Sequence, residues 1–379
     1  MTTISAWNGW DPLVEVWLGD CWPPEFFEHL ESPIRDNFQK IADMTREDLK
    51  KIQEFLESRG VTVRRPVIEP DYNRYTFYDG VLIKPPICPR DYTATIGETL
   101  YFSDEPYYFL NAKKVPSTWQ HWVDEYRRQG QRVATTREPI STAHIIRLGK
   151  DLIWDDCYPR AYFDGRMARR EKLETRYYKR KVFEERVTDV FTDNFRVHYT
   201  NNGGHADGCL SVLRPGLVLG TDYWPAYDQT FPGWEKIMIR NKPEWNDHTW
   251  GNYFLDGAGF KWFVPDELNG IGGMHFNRYI EKYASDWIGN YKETYFEVNI
   301  LILDSKNIMC IGEHPALFEE LDKHGINCHV VPFRTRSFWD GGLHCITSDI
   351  SRLGSCQDYW PERGTPGLGL NIDSDRFAE

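Results

Sequence analysis

Apolar residues recur along the chain at the spacings typical of helices and strands. Between about Thr45 and Arg59 they lie three or four positions apart, which predicts a helix that ends at Gly60 and leads into a short strand, Val61 to Val63. The same order of helix, glycine and strand returns at Ala316 to Leu321, Gly325 and Ile326 to Val331, and more loosely at Glu184 to Val190 and Phe195 to Val197. This recurrence predicts one supersecondary unit that is used several times.

Further strands are predicted wherever short apolar or alternating runs occur. They lie at Val14 to Leu18, Gly80 to Ile83, Leu152 to Trp154, Ser211 to Leu219, Val298 to Leu303 and Ile308 to Ile311. Because strands and helices interleave and no linker rich in proline, glycine or serine divides the chain, the pattern predicts an α/β fold with a single domain over residues 1–360. Residues 361–379, which are rich in glycine, aspartate and proline, are predicted to form a loosely ordered tail.

The charge of the chain narrows the classes of function. Its 379 residues include 57 acidic and 45 basic ones, a formal net charge of −12, which disfavours binding to nucleic acid or to an anionic membrane and favours cationic small molecules. No segment approaches the roughly 20 apolar residues that a membrane span needs, and the start of the chain does not resemble a secretory signal. A cytoplasmic chain without membrane contact is therefore expected.

Eight cysteines are spread along the chain without a CxxC pair. This spacing indicates neither a zinc knuckle nor a disulfide framework, so reduced thiols are expected. One of them closes the run Gly341-Gly-Leu-His-Cys345, in which two glycines predict a tight turn that lets a substrate approach the backbone beside a thiol and an imidazole. A buried, inert cysteine is the alternative interpretation of Cys345.

Two further runs carry side chains suited to acid–base or ionic chemistry. His205 and Asp207 follow a turn-prone run and precede an apolar strand; residues two apart face one side of a strand, so the two side chains are predicted to share a site. The alternatives are a turn-capping aspartate with a core histidine, or a metal site, because Cys209 completes an H-x-D-x-C string. The run Cys88-Pro-Arg-Asp91 offers another carboxylate, although a local ion pair within it is the plainer interpretation.

Taken together and in this order, these runs resemble the amidinotransferases, the family of glycine amidinotransferase and its relatives in toxin and antibiotic biosynthesis. The resemblance spans nearly the whole chain; no single motif is specific, but the collinear set is. The motifs are Trp7-Asn-Gly-Trp-Asp-Pro-Leu13, Val16-Trp-Leu-Gly19, Gly60-Val-Thr-Val-Arg-Arg-Pro66, Cys88-Pro-Arg-Asp91 with Ile96-Gly-Glu98, Ile146-Arg-Leu-Gly-Lys-Asp151, His205-Ala-Asp207, Pro215-Gly-Leu-Val-Leu219 and Gly341-Gly-Leu-His-Cys345 with Thr347 and Asp349.

The resemblance implies a five-bladed α/β propeller of repeated ββαβ units around a central pocket. It also implies that Asp91 and Asp207 hold a guanidinium group and that Cys345 attacks its carbon to give a covalent amidino-thioether. His205 would protonate the leaving amine and then deprotonate the acceptor. This chemistry requires no metal and no cofactor. The implied function is transfer of an amidino group from arginine or a related guanidine to a small amine.

Three runs depart from the family pattern. Where family members carry an acidic cluster whose carboxylate orients the catalytic histidine, this chain has Ser141-Thr-Ala-His144, so His144, Glu138 or another acid would have to replace that carboxylate. The runs that grip the donor are also changed, to Thr221-Asp-Tyr-Trp-Pro225 and Lys292-Glu-Thr-Tyr295. A guanidine other than arginine, or a different acceptor, therefore stays open.

Two other functions also stay open at this point. A hydrolase of the deiminase or dihydrolase type needs only that water rather than an amine reaches the covalent intermediate. A guanidine-binding homologue with impaired catalysis would explain the missing carboxylate. The expected partners are a small guanidine donor and an amine acceptor, and a homodimer is a further expectation.

Overall fold

A computed structural model describes residues 3–71, 84–103, 116–136, 142–155, 190–200, 205–221, 226–239, 273–284, 297–339 and 341–372. The strands are β1 (Leu13–Leu18), β2 (Thr62–Arg64), β3 (Thr93–Ile96), β4 (Thr99–Ser103), β5 (Arg132–Thr136), β6 (Ile145–Leu148), β7 (Asp151–Asp155), β8 (Arg196–Thr200), β9 (Leu210–Arg214), β10 (Leu217–Thr221), β11 (Glu235–Ile239), β12 (Leu301–Asp304), β13 (Asn307–Cys310), β14 (Asn327–Val330), β15 (Thr347–Arg352) and β16 (Gly367–Ile372). The α-helices are α1 (Ile34–Ser58), α2 (Gln120–Arg128), α3 (Tyr227–Thr230), α4 (Gly273–Tyr283), α5 (Pro315–Lys323) and α6 (Arg336–Trp339). The predicted α/β class is confirmed.

The described strands form five sheets, with the orders β15-β1-β2, β3-β4-β5, β6-β7-β8-β16, β9-β10-β11 and β12-β13-β14. Each sheet contains an antiparallel pair and then a parallel strand; β3 and β4 are antiparallel, for example, whereas β4 and β5 are parallel. Parallel neighbours need a crossover connection. Helix α1 supplies it between β1 and β2, α2 between β4 and β5, and α5 between β13 and β14. The repeated unit predicted from the sequence is present in these three sheets.

The first strand of the chain pairs with one of its last strands. β15 is antiparallel to β1, with Leu18 opposite Thr347, and all six residues of β15 are buried. Behind β1, the indole of Trp17 stacks on that of Trp119 with the ring centroids 4.5 Å apart. The segment just before Thr347, which contains Cys345, is therefore anchored in the interior.

Several predicted elements differ in extent from the observed ones. Helix α1 begins at Ile34, well before the predicted start at Thr45. The strand predicted over Ser211 to Leu219 is a hairpin of β9 and β10, because Pro215 and Gly216 form a turn in which Gly216 has a φ of 88°. The strand predicted from Val298 begins only at Leu301. The strand predicted at Gly80 to Ile83 lies outside the described residues, and so does the helical segment predicted over Glu184 to Val190, except for Val190 itself.

The tail predicted to be loose contains a paired strand. β16, residues 367–372, is parallel to β8, and His198 of β8 explains why it docks. The His198 Nδ1 atom accepts a hydrogen bond from the backbone N–H of Leu370 at 2.8 Å, while its Nε2 atom lies 2.6 Å from the buried carboxylate of Asp151. The prediction of a loose tail is thus wrong for residues 367–372, because the backbone of this segment bonds to His198, which is distant in the sequence. Residues 373–379 lie outside the described residues.

Candidate active site

Cys345 lies in the turn of residues 343–346 that leads into β15, and its side chain is buried. The predicted tight turn is present here. A Cβ atom on Gly342 would lie 2.6 Å from the Oδ1 atom of Asn299 and 2.7 Å from its carbonyl oxygen. Only glycine therefore lets this turn approach Asn299 so closely. The turn is closed further by the Thr347 hydroxyl, which donates to the carbonyl oxygen of Leu343 at 2.7 Å.

Asp207 brings a buried carboxylate to the thiol. Its Oδ2 atom lies 3.7 Å from the Sγ atom of Cys345 and accepts a hydrogen bond from Nδ1 of His344 at 2.8 Å. Its Oδ1 atom is buried and makes no hydrogen bond within the described residues. Leaving such an atom unsatisfied is costly unless a ligand completes it. The Oδ1 atom of Asp207 can thus accept a hydrogen bond from a group that does not belong to the described residues.

The protonation states follow from burial and charge. Burial raises the pKa of the Cys345 thiol well above its usual range, the charges of Asp207, Cys88 and Asp91 raise it further, and a hydrogen bond from Asn299 opposes them. The thiol is therefore protonated at neutral pH in the absence of a ligand.

In the hydrogen-bonded pair of Asp207 and His344, the pKa values of both groups are lowered. Burial alone would raise the pKa of Asp207, but the hydrogen bond and charge of His344, with the charges of His205 and Arg90, hold it below its usual range. Burial and the charge of Arg90 lower the pKa of His344, although Asp207 acts in the opposite direction. Asp207 is therefore an anion and His344 is neutral near pH 7, so the surroundings of the thiol favour a cationic ligand.

Asp91 and Arg90 do not form the local ion pair that was the plainer interpretation of their run. Nη2 of Arg90 instead donates to Oδ1 of Asp349 at 3.1 Å, and its Nε atom donates to the carbonyl oxygen of His344 at 2.8 Å. The carboxylate of Asp91 lies 3.9 Å from Nζ of Lys84, and about a third of its side chain is exposed. Asp91 is thus a partly exposed carboxylate whose charge acts on the Cys345 thiol.

A buried cluster of three arginines around Asp349 holds this part of the fold together. The Asp349 carboxylate accepts hydrogen bonds from Arg90, from Arg147 and from Nε of Arg352, the last at 2.7 Å. Burial alone would raise the pKa of Asp349, but the charges of Arg147, Arg352 and Arg90 hold it well below its usual range. Since Arg90 also binds the carbonyl oxygen of His344, the cluster fixes the turn that carries Cys345.

The charge of His205 acts on the carboxylate of Asp207, but the two residues do not share one face of a strand, as the sequence predicted. Residues Ala206–Gly208 form a 3-10 turn rather than a strand start, so the alternation of a strand does not explain their positions. The ring of His205 packs edge-on against that of His144, with the centroids 4.6 Å apart. Nδ1 of His144 donates to the carbonyl oxygen of Asp155 at 2.9 Å, which fixes its ring.

Other sequence candidates fall outside this arrangement. Glu138 and Ser141, together with residues 222–225 and 292–295, lie outside the described residues. Within the part of the chain that the structure describes, no three His, Cys, Asp or Glu side chains are grouped closely enough to hold a metal ion. Also within those residues, no helix is both long and apolar enough to span a membrane.

Sequence reasoning missed Asn299, which the structure brings to the thiol. Its Nδ2 atom lies 3.0 Å from Sγ of Cys345. The available signal was a single amide within the apolar run Val298 to Leu303, where a polar residue is unusual. The contact partners of Arg90 and His344 were also missed, because they depend on pairings between distant segments.

The chemical capacity of the site follows from these contacts. A buried thiol lies beside an anionic carboxylate that has a spare oxygen, with a second carboxylate and two further imidazoles nearby. Such a site suits a planar cation whose carbon can be attacked by sulfur.

The chain is similar to known amidinotransferases over nearly its full length. No protein-family model matches the chain. It is 23% identical over 407 residues to inosamine-phosphate amidinotransferase 1 of Streptomyces glaucescens, covering 95% of this chain and 99% of that protein. It is 21% identical over 420 residues to the mitochondrial glycine amidinotransferase of Xenopus laevis, covering 94% and 85%.

Solved structures show that the fold is shared. The inosamine-phosphate amidinotransferase of Streptomyces griseus matches with a TM-score of 0.61 and 19% identity, over 95% of this chain and 99% of that one. SxtG, an amidinotransferase of the saxitoxin biosynthetic pathway from Microseira wollei, matches with a TM-score of 0.61 and 16% identity, over 94% and 99%. The chain thus shares the fold of these two amidinotransferases. The resemblance inferred from the sequence is confirmed, since the chain is similar to inosamine-phosphate and glycine amidinotransferases over nearly its full length.

Proposed function

We propose that this protein is a cysteine-dependent amidinotransferase, which moves an amidino group from arginine or a related guanidine to a small amine. The observation that carries the proposal is the contact between the Sγ atom of Cys345 and the carboxylate of Asp207, whose Oδ1 atom has no hydrogen-bond partner within the described residues. The similarity to amidinotransferases over nearly the full length of the chain supports it.

The donor binds first as a planar cation. Two N–H groups of a guanidinium can bond to carboxylates in fixed directions, and Asp207 with Asp91 supply such acceptors. The bound positive charge offsets the carboxylates that raise the pKa of the Cys345 thiol, so the donor itself promotes loss of the thiol proton. The thiolate then attacks the guanidino carbon and forms a C–S bond, giving a tetrahedral intermediate.

The thiol proton moves to His205 as the thiolate forms, and transfer then requires two further proton movements at this residue. Its imidazolium gives a proton to the departing amine as the C–N bond breaks, which leaves an amidino-thioether on Cys345 and a neutral imidazole. The acceptor amine then attacks the amidino carbon and loses its proton to His205. The C–S bond breaks, the thiolate is restored and the new guanidine leaves.

His144 is our proposed partner for His205 in place of a carboxylate. Its Nδ1 atom donates to the carbonyl oxygen of Asp155, so the neutral ring carries its lone pair on Nε2. The edge-on packing of the two rings supports an orienting role for His144. Glu138, the other candidate, lies outside the described residues.

The arrangement of the fold is part of the proposal. Five sheets with the same antiparallel and parallel pairing support a five-bladed α/β propeller, formed by a single domain. The repeated order of strands would bring the turns at Asp91, Asp207 and Cys345 to one central pocket. We further propose that the protein acts in the cytoplasm as a homodimer, without a cofactor.

A steady-state assay with defined donors and acceptors tests the function. Purified protein is incubated with arginine, homoarginine or guanidinoacetate, with and without a panel of primary amines, and the released amine and new guanidine are quantified. We expect release that depends on an acceptor amine and is lost in Cys345→Ala, but not in the control Cys356→Ala. Release over many turnovers without any added amine would indicate a hydrolase, and the absence of product with every donor would indicate a binding protein.

A further inference from the structure

The amide of Asn299 makes four hydrogen bonds that join three parts of the site. Its Oδ1 atom accepts from the backbone N–H groups of His344 and Cys345, both at 3.1 Å. Its Nδ2 atom donates to the carbonyl oxygen of Asp207 at 3.0 Å and to Sγ of Cys345 at 3.0 Å. The amide thus uses both acceptor positions and both donor hydrogens, and its side chain is buried.

These partners fix which end of the amide faces the sulfur. Backbone N–H groups can only donate and the carbonyl oxygen of Asp207 can only accept, so a flipped amide would lose three of its four bonds. The atom facing Sγ is therefore an N–H donor. The sulfur accepts, and a thiolate is a stronger acceptor than a thiol.

The backbone on both sides of the contact between Asn299 and Cys345 is held in place by hydrogen bonds and by close packing. Asn299 precedes β12 at a tight bend, where the N–H of Ile300 bonds to the carbonyl oxygen of Val298 at 2.9 Å. The hydroxyl of Ser211 donates to the same carbonyl oxygen at 2.6 Å. On the other side, Gly342 lets the Cys345 turn approach where a Cβ atom would collide with Asn299. Both sides of the contact are thus held by the fold.

We infer that Asn299 is a catalytic residue that donates a hydrogen bond to the Cys345 thiolate and stabilises it as nucleophile and as leaving group. This inference rests on the proposed function, in which Cys345 forms and breaks the C–S bond. The donor matters because burial and the neighbouring carboxylates all disfavour the thiolate. Asn299 also joins the segments of Asp207 and Cys345, so that the carboxylate and the sulfur keep their separation.

The test measures the reactivity of the Cys345 thiol towards an alkylating reagent, so it does not depend on a reaction with a guanidine. Alkylation of Cys345 by iodoacetamide is followed against pH by mass spectrometry of the peptide that contains it, in the wild type, Asn299→Asp, Asn299→Ala and the control Asn327→Asp. Asn327 is an exposed asparagine on β14, so its change matches the chemistry of Asn299→Asp at a surface site. Folding of each variant is checked by its thermal unfolding midpoint.

We expect alkylation at neutral pH to fall by about tenfold or more in both Asn299 variants, because a hydrogen bond to a charged group is lost. The pH profile should move to higher pH, and the control should match the wild type. Folded Asn299 variants with an unchanged or faster alkylation profile would overturn the inference. A purely structural role would reduce stability without moving this profile.

A second measurement needs no change at Asn299. In protein labelled with nitrogen-15 in asparagine, one side-chain NH2 signal should titrate together with the Cys345 thiol and stop titrating in Cys345→Ala. The absence of any such signal would overturn the inference. The proposed function fails separately, if the wild type transfers no amidino group while its alkylation still depends on Asn299.

Discussion

Replacing Asp207 by asparagine should make the Cys345 thiol more reactive while abolishing its reaction with guanidines. The two side chains have the same shape, and the asparagine oxygen can still accept the hydrogen bond from Nδ1 of His344. The change therefore removes a negative charge next to the sulfur with little change in packing. The pKa of the thiol should fall, because the charge of Asp207 is one of the causes that raise it.

The size of the effect follows from the distance between the two atoms. Oδ2 of Asp207 and Sγ of Cys345 are 3.7 Å apart, and two unit charges at this separation repel by about 4 kcal/mol at an effective dielectric constant of about 20. Relaxation and the remaining carboxylate of Asp91 reduce the net gain. We therefore expect alkylation at neutral pH to be at least about tenfold faster, which corresponds to about 1.4 kcal/mol.

The assay is peptide-resolved labelling with iodoacetamide, run beside incubation with arginine. The control is Asp228→Asn, which removes a carboxylate whose side chain is 92% exposed. Asp207→Asn should label faster than the wild type and form no amidino adduct, whereas the control should behave as the wild type in both respects. Slower or unchanged labelling of a folded Asp207→Asn protein would refute the electrostatic account of the site.

Three further outcomes follow from the structure. His144→Ala should lower kcat by about tenfold or more with a smaller change in KM, and His144→Asp should restore part of it, as measured by steady-state kinetics; equal kcat for all three proteins would exclude an orienting role. Asp349→Asn should lower the free energy of unfolding in urea by about 3–5 kcal/mol. Because the folded pKa of Asp349 is depressed, its stabilisation is present above the unfolded value near 3.9 and is lost as the pH falls below it. Gly369→Ala would put a Cβ atom 2.5 Å from Nδ1 of His198 and should lower stability by about 1–3 kcal/mol, whereas the control Gly9→Ala, which meets open space, should not.

The sequence predicted the parts of the fold that depend on local pattern. The alternation of helix, glycine and strand identified the repeated unit around Gly60 and Gly325, because periodicity and turn residues are local signals. The docking of β16 was not predictable in this way. It depends on a hydrogen bond from the backbone of Leu370 to His198, which lies far away in the sequence.

In the candidate site, too, residues in recognisable local runs could be named from the sequence, whereas contacts between distant segments could not. Cys345, Asp207 and His205 stand in short runs with a recognisable order, which is why the sequence alone could nominate them; their roles stay a prediction. The plainer interpretation of Arg90, a local ion pair with Asp91, named a different partner from Asp349, because the ion pair of Arg90 with Asp349 joins segments distant in the chain. Asn299 was hidden in an apolar run for the same reason, since only the folded chain brings its amide to the sulfur.

The most direct test of the central claim is the intact mass of the protein after brief incubation with arginine and an acid quench, with no acceptor amine present. We predict a mass gain of one amidino group that maps to the peptide containing Cys345, is absent in Cys345→Ala and disappears when an acceptor amine is added. Formation of a new guanidine by Cys345→Ala at the wild-type rate, or an amidino group on any other residue, would contradict the account.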